Sequence, residues 1–283
     1  MLSNSKELLL KAQKGKYAIG AFNIYNLEGL SAVINAAEDL KSPVIVQLHP
    51  ISMKWNSNRI IPACLAAAKD ASIPVAIHLD HSQEKESIAI ALAKGIKSIM
   101  ADGSDLSFEK NLVFTKSVVD MANCHDAHVE GEYGKLAGEE DGLSVAEYEA
   151  KMTSPELAYE YVTKTGVSSL AVCIGNVHGK YANDPNLDFK RLEAIQSNVN
   201  VPLVLHGASG IPEAMVKKSI SLGICKFNVN TEVRGAYLHS IKEVMDNSTK
   251  PDLMPLIQLA VKNMTTVIKR KIILFGSEGK YNS

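Results

Sequence analysis

Three histidines stand where ordinary packing does not readily explain an imidazole. His81 follows VAIHLD, His178 follows GNV and His206 follows VPLVL. Each lies just past an apolar, β-rich run and beside a small or acidic residue. Neutral imidazoles gathered on one rim suit zinc, and three protein ligands leave a coordination position for a substrate oxygen. Three unrelated surface histidines are the alternative. Asp80 directly precedes His81, close to the inferred ion without having to be a ligand, and suits proton exchange with a substrate oxygen. Glu139, Glu140 and Asp141 fall in the glycine-rich stretch GEYGKLAGEEDGLS. A loop carboxylate there can swing over bound substrate and act as a base while excluding water, although a GEED run taken alone reads as a solvated acidic loop. Asp102 and Glu132 either form a second cation site or hydrogen-bond the rim. His78, two residues before Asp80, points to the same side of its strand and reads as support for the site, with a packed core histidine as the alternative. His125 and His128 read as solvated, and His239 as structural.

A second constellation points to an anion. His206-Gly207-Ala208-Ser209-Gly210 follows one β-run, and Asn228-Val229-Asn230-Thr231 follows the next and opens a helix. Small residues expose backbone N–H groups, hydroxyls add donors, and a helix N-terminus favours negative charge. GASG by itself is a weak motif; its place between these two runs strengthens it.

These residues need a scaffold that brings distant segments to one rim. Eight β-rich runs are expected at 17–22, 43–48, 74–79, 97–101, 126–130, 168–174, 201–205 and 224–229. Helical spacing of Leu30, Val33, Ile34 and Ala37 predicts a helix over 27–41, and Leu112, Val118, Val119 and Met121 predict one over 108–124 with Ser107 as its cap. Asp188, Pro212 and Thr231 read as later helix starts. Eight strands alternating with helices in 283 residues point to an α/β fold, a single (β/α)8 TIM barrel spanning 1–283 with its active site at the C-terminal ends of the strands. Asn23, His49, Asp80, Asp102, Glu130, Glu132, His178, His206 and Asn228 all fall at such ends. An open doubly wound sheet would usually carry a glycine fingerprint after its first strand, and GAFNIYN is not one. The longest break in the rhythm, 131–153, is expected to be a mobile active-site loop.

Composition excludes other classes. With 30 Lys and Arg against 31 Asp and Glu, the formal charge is −1, so no basic field exists to hold nucleic acid or an anionic membrane. Apolar residues make up 46%, enough for a large core. No run has the length of a membrane span. The four cysteines form no CxxC pair and read as reduced thiols, which makes the cytoplasm the expected compartment.

Together IHLDH, VEGEYG, GEEDG, GNVHGKY, LVLHGASGIP and KFNVNTE resemble the class II, metal-dependent fructose-bisphosphate and tagatose-bisphosphate aldolases, from about Tyr17 to Gly276. The resemblance implies a lyase that reversibly cleaves a ketose 1-phosphate or 1,6-bisphosphate into dihydroxyacetone phosphate and an aldehyde through a zinc-stabilised enediolate. It also implies a homodimer or homotetramer. It makes His81, His178 and His206 the ligands of catalytic Zn2+, Asp80 the acid at the C4 oxygen and Glu140 the base of the loop. Asp102 and Glu132 match an accessory or vacated metal site. Asn23 matches a contact to a substrate hydroxyl. Gly179, Gly207, Ala208, Ser209, Asn228, Val229, Asn230 and Thr231 match binders of dihydroxyacetone phosphate, with a monovalent cation, Na+ or K+, near its phosphate.

The chain departs from the family after its second strand, where relatives commonly carry Ser or Thr and this sequence has His49. The segment 49–58 is unlike the family, and Asp105 stands where a histidine is common. Either this is a packing change or the aldehyde half differs. Tagatose- and fructose-bisphosphate are the expected substrates. A modified sugar phosphate, such as a deoxy-keto acid or a sulfonated ketose phosphate, is the alternative within the chemistry. A zinc hydrolase on the same barrel would lack the phosphate loops, and a non-catalytic subunit would have lost one of Asp80, His81, Glu140, His178 or His206. Of Lys269, Arg270 and Lys271, one could reach a neighbouring subunit's substrate, as in relatives, or all could be a solvated helix end. If His49 sets specificity, His49→Ser will change the relative kcat/KM for different aldehydes; an unchanged ranking would return the residue to packing.

Overall fold

The structure, a computed structural model, describes residues 1–140, 143–145, 151–179 and 185–281, and for 137–140 and 143–145 the backbone only. The strands are β1 (Ile19–Asn23), β2 (Val44–Leu48), β3 (Val75–Ser82), β4 (Ser98–Ala101), β5 (His128–Tyr133), β6 (Ala137–Glu140), β7 (Leu143–Val145), β8 (Ser169–Val172), β9 (Val177–His178), β10 (Leu203–Leu205) and β11 (Ile224–Val229). The helices are α1 (Ser5–Gly15), α2 (Leu27–Asp39), α3 (Pro50–Trp55), α4 (Ile60–Asp70), α5 (Lys85–Ala93), α6 (Phe108–Asn123), α7 (Pro155–Thr165), α8 (Phe189–Asn198), α9 (Glu213–Ser221), α10 (Thr231–Asn247) and α11 (Leu253–Phe275).

Eight parallel strands close a barrel in the order β1-β2-β3-β4-β5-β8-β10-β11, with β11 returning to β1. Each expected β-run contributes one of them. The expected caps also form: Ser107 Oγ accepts the Lys110 N–H, and Asp188 accepts that of Arg191. Parallel strands covered on both faces read as near-continuous apolar runs, and β1 to β4 are buried throughout. Outward residues such as Phe22, Val46, Ile77 and Ile99 join the core beneath the helices. Inward positions change character along β1, β2 and β3: Ile19 and Ala21 lead to Asn23, Ile45 to Gln47, and Ala76 to His78 and Asp80. At the apolar end, α1 buries Leu8, Leu9 and Ala12 against Ile19, Ala21, Ile45, Ala76 and Cys225. That helix plugs one mouth of the barrel and leaves the other for the site.

Two local expectations need revision. The stretch 131–153 holds more regular structure than a loop. Strand β5 runs to Tyr133, and β6 pairs antiparallel with β7 and parallel with β9 in a small separate sheet. Asp141 lies outside the described residues. His128 is not solvated: it opens β5, half-buried, and its Nε2 accepts from the Asn4 amide at 2.7 Å because α1 folds across that end. Among the described residues, no helix is long and apolar enough to cross a membrane.

All four cysteines are free; Cys64, Cys173 and Cys225 are buried and Cys124 is exposed. Burial pushes the Cys64 and Cys225 thiols up to about 12 and that of Cys173 to about 11. In the native protein an aromatic disulfide reagent at about pH 8 should titrate one thiol quickly, and the other three only on unfolding. More than one fast thiol would contradict this packing.

Candidate active site

The polar rim is built at the C-terminal ends of the strands. Alternation alone would send Asp80 and His81 to opposite faces of β3. Between Leu79 and Ser82, however, the pairing of β3 with β4 shifts register, and His81 adopts φ +40°. A left-handed conformation is costly for a non-glycine residue and is held only by surrounding structure. The distortion brings both side chains to the same buried site, 1% and 3% exposed.

Around His81 the three expected imidazoles converge. Ring centroids lie 5.0 Å apart for His81 and His178, 4.7 Å for His81 and His206, and 6.1 Å for His178 and His206. His81 Nδ1–H donates to Asp102 Oδ2 at 2.9 Å, which leaves Nε2 as the outward lone pair. His206 Nε2–H donates to Glu130 Oε1 at 2.8 Å, which leaves Nδ1. The two remaining nitrogens face one another at 2.9 Å. Two lone pairs at that distance require a cation or a proton between them. The ligand atoms of His81, His178 and His206 all lie within 4.8 Å of one another, as do those of His81, Asp102 and Glu132. The residues therefore fit a divalent ion, and carboxylates on the far ring nitrogens are the usual outer support of such a site.

The charges agree. Asp80, Asp102, Glu130 and Glu132 are all buried, with Lys226 the buried ammonium among them. If all five ionise they carry a formal −3, so the pocket draws in positive charge. Burial by itself raises the Glu132 carboxyl, and the neighbouring Asp102 and Glu130 raise it further, against a lowering from His81. Burial opposes protonation of His81, yet Asp80, Asp102 and Glu132 raise it well above an ordinary imidazole. Burial would also raise Asp80, but His81, His206 and Lys226 hold it ionised.

Asp80 is fixed on both oxygens. The Asn23 amide donates to Oδ2 at 2.8 Å and the Asn228 amide to Oδ1 at 3.1 Å. Gln47 donates in turn to Asn23 Oδ1 at 3.3 Å. His178 is carried on β9, opposite Gly138 of β6. The loop after β10 passes so near that a Cβ on Gly207, at φ +65°, would lie 1.9 Å from the Val177 carbonyl oxygen. Only glycine fits there.

Comparison with known proteins agrees with this geometry. A family model, fructose-bisphosphate aldolase class-II, matches residues 3–280. The chain is 40% identical over 279 residues to the D-tagatose-1,6-bisphosphate aldolase subunit GatY of Klebsiella oxytoca, covering 98% of each. The chain belongs to the class II fructose-bisphosphate aldolase family. The crystal structure of the YdjI aldolase from Escherichia coli K12 superposes with TM-score 0.88 at 37% identity over 100% of both chains. The fructose-bisphosphate aldolase of Campylobacter jejuni, at 22% identity and TM-score 0.82 over 99% of this chain and 96% of its own, shares the fold.

The remaining expected positions of this aldolase fall as follows. Ala208 N–H donates to the Asn228 carbonyl, which joins the loops after β10 and β11. Ser209 is buried, and its Oγ accepts the Glu232 N–H at 3.4 Å. Asn230 precedes α10, and its Oδ1 accepts the Tyr25 hydroxyl at 2.7 Å; Thr231 begins that helix and Val229 is buried. Gly179 sits at φ +79°, directly after His178. His49 caps α3: its Nδ1 accepts the Ile51 N–H at 3.2 Å. Glu140 ends β6, and its side chain lies outside the described part of the structure. His78 bonds Ser98 Oγ at 2.7 Å beneath the site, and burial, with Lys226 adding to it, lowers its imidazolium to about 3.

Two supports escape sequence reading. Glu130 reads only as one of several polar strand ends, and Lys226 only as a basic residue inside an apolar run. Lys226 Nζ donates to Glu130 Oε2 at 2.7 Å, both groups buried, so the carboxylate that orients His206 is itself locked. The second is Asn176, whose amide donates to the His206 carbonyl at 3.1 Å while its Oδ1 accepts the Ile174 N–H. Glu130→Gln should weaken metal binding by about 10–100-fold, because an amide no longer orients the ring as a carboxylate does. Competition against a chromogenic chelator reads this directly; wild-type affinity would contradict the assigned support.

Proposed function

We propose that this aldolase binds zinc through His81, His178 and His206 and reversibly cleaves a ketose 1-phosphate or 1,6-bisphosphate, of the tagatose or fructose type, into dihydroxyacetone phosphate and an aldehyde. The observation that carries the reading is the pair of imidazole lone pairs at 2.9 Å, each set by a buried carboxylate on the opposite ring nitrogen. When bound, a divalent ion at this place acts as a Lewis acid toward the oxygens of a substrate ketone.

The chain's own residues supply the rest. Asp80 Oδ2 and Oδ1, oriented by Asn23 and Asn228, are placed to exchange a proton with the oxygen at C4 as the C3–C4 bond breaks or forms. Glu140 removes the proton from dihydroxyacetone phosphate in the reverse direction. The register supports this role: Gly138 pairs with His178, and Glu140 follows two residues along the same strand. The backbone of Gly179 and of Gly207 to Ser209, with Asn228 to Thr231 at the start of α10, cradles the phosphate. A Na+ or K+ ion near that phosphate would offset its charge. Asp102 and Glu132, which share His81 as a potential ligand, form an accessory position for the metal. The part of 131–153 that follows β5 moves over the substrate as the site closes. The assembly is a homodimer or homotetramer, and the four free thiols suit a reducing cytoplasm.

A panel of ketose phosphates, with release of dihydroxyacetone phosphate as the signal, tests the substrate class. Strong chelation should abolish turnover and added zinc restore it, whereas borohydride with substrate should leave no adduct; covalent trapping on a lysine would refute the mechanism. Asp80→Asn and Glu140→Ala should each lower kcat roughly 10²–10⁴-fold with metal content unchanged, since neither residue is assigned as a ligand.

A further inference from the structure

At the edge of the proposed phosphate cradle, one carboxylate joins three separate elements. Glu232 lies in the first turn of α10. Its Oε1 accepts the Gly210 N–H at 3.0 Å and the Lys271 ammonium at 2.6 Å. Its Oε2 accepts Arg270 Nη2 at 3.2 Å, and its own N–H donates to Ser209 Oγ. Lys271, on α11, is 5% exposed, whereas Arg270 extends largely into solvent. Lys269, the next basic residue of the same helix, pairs instead with Asp39 at 2.6 Å. All three pair within their own chain, and of them Lys271 alone does so from a buried position.

The arrangement has an electrostatic cost built in. A carboxylate in the first turn favours the helix itself, but it also repels any second anion at that N-terminus. Glu232 nevertheless does work that a neutral aliphatic side chain cannot: it holds the Ser209–Gly210 turn against the start of α10. A buried ammonium 2.6 Å away cancels its charge where solvent screening is weakest.

We propose that Glu232 and Lys271 form a charge-compensated strut, in which Glu232 positions the loop after β10 for phosphate and Lys271 keeps that carboxylate from opposing the bound anion. The inference rests on the reading of 207–209 and 228–231 as the phosphate site. Both are positioning residues, neither touching the reacting atoms.

The strut predicts opposite signs for its two halves. Glu232→Gln keeps an acceptor for the Gly210 N–H but leaves Lys271 uncompensated, so inhibition by inorganic phosphate should tighten about threefold. Lys271→Met should weaken it about tenfold and raise KM for the phosphorylated substrate, with kcat within about twofold of wild type. The double variant should return to within about threefold of wild type, and the single-variant effects should shrink as salt rises. Metal content and the thermal midpoint, measured alongside, report on folding. If Lys271→Met does not fold, the sign of the Glu232→Gln effect still decides. Weaker phosphate binding in Glu232→Gln, or a double variant as impaired as Lys271→Met, would make the cluster merely structural and overturn the proposal. If phosphate does not compete in the wild-type enzyme at all, the cradle itself is misassigned and the strut falls with it.

Discussion

Everything in this molecule answers to two imidazole nitrogens aimed at each other across 2.9 Å. Neither could be held there in water or in an apolar core. Asp102 accepts the N–H of one ring and Glu130 that of the other, and both carboxylates are buried. Removing these anions from solvent is expensive, and only a compensating positive charge makes it tolerable. Lys226 supplies one such charge from below. The lone pairs call for the rest, which is why the site is cation-seeking before any substrate enters.

The barrel makes that concentration of charge possible by separating it from the core. Outward side chains of the strands feed a continuous apolar layer beneath the helices, and α1 seals the other mouth with Leu8, Leu9 and Ala12. At the opposite end Asn23, Asp80 and Asn228 form a single bonded row with Gln47 behind it. The register shift and positive φ at His81 are the local distortion this rim demands. Backbone strain of this kind survives because the surrounding hydrogen bonds overdetermine it.

The two sides of the polar rim differ in how firmly they are built. The loops after β10 and β11 are tied together by Ala208 to Asn228 and by Ser209 and Gly210 to Glu232. On the other side, the segment after β2 forms α3, capped by His49 and ending in a Trp55 that is 87% exposed. His49 thus has a local structural task, as the cap of α3.

The sequence by itself determined the barrel, since the alternation of eight buried runs with amphipathic helices is a local pattern that each segment reports independently. It also determined which residue types stand at strand ends, and so the three histidines and Asp80. The small sheet of β6, β7 and β9 was not legible, because strands of two to four residues in a glycine-rich stretch carry no period. Nor was Lys226: inside an apolar run a lysine looks like a solvent-facing residue, and its partner Glu130 is 96 positions away. Only closure of the barrel put those two together. Tertiary structure likewise decided that His81 turns back beside Asp80 and which ring nitrogen His81 and His206 present. These are matters of distance and hydrogen-bond partnership between remote segments, and local sequence encodes burial and periodicity but not who meets whom.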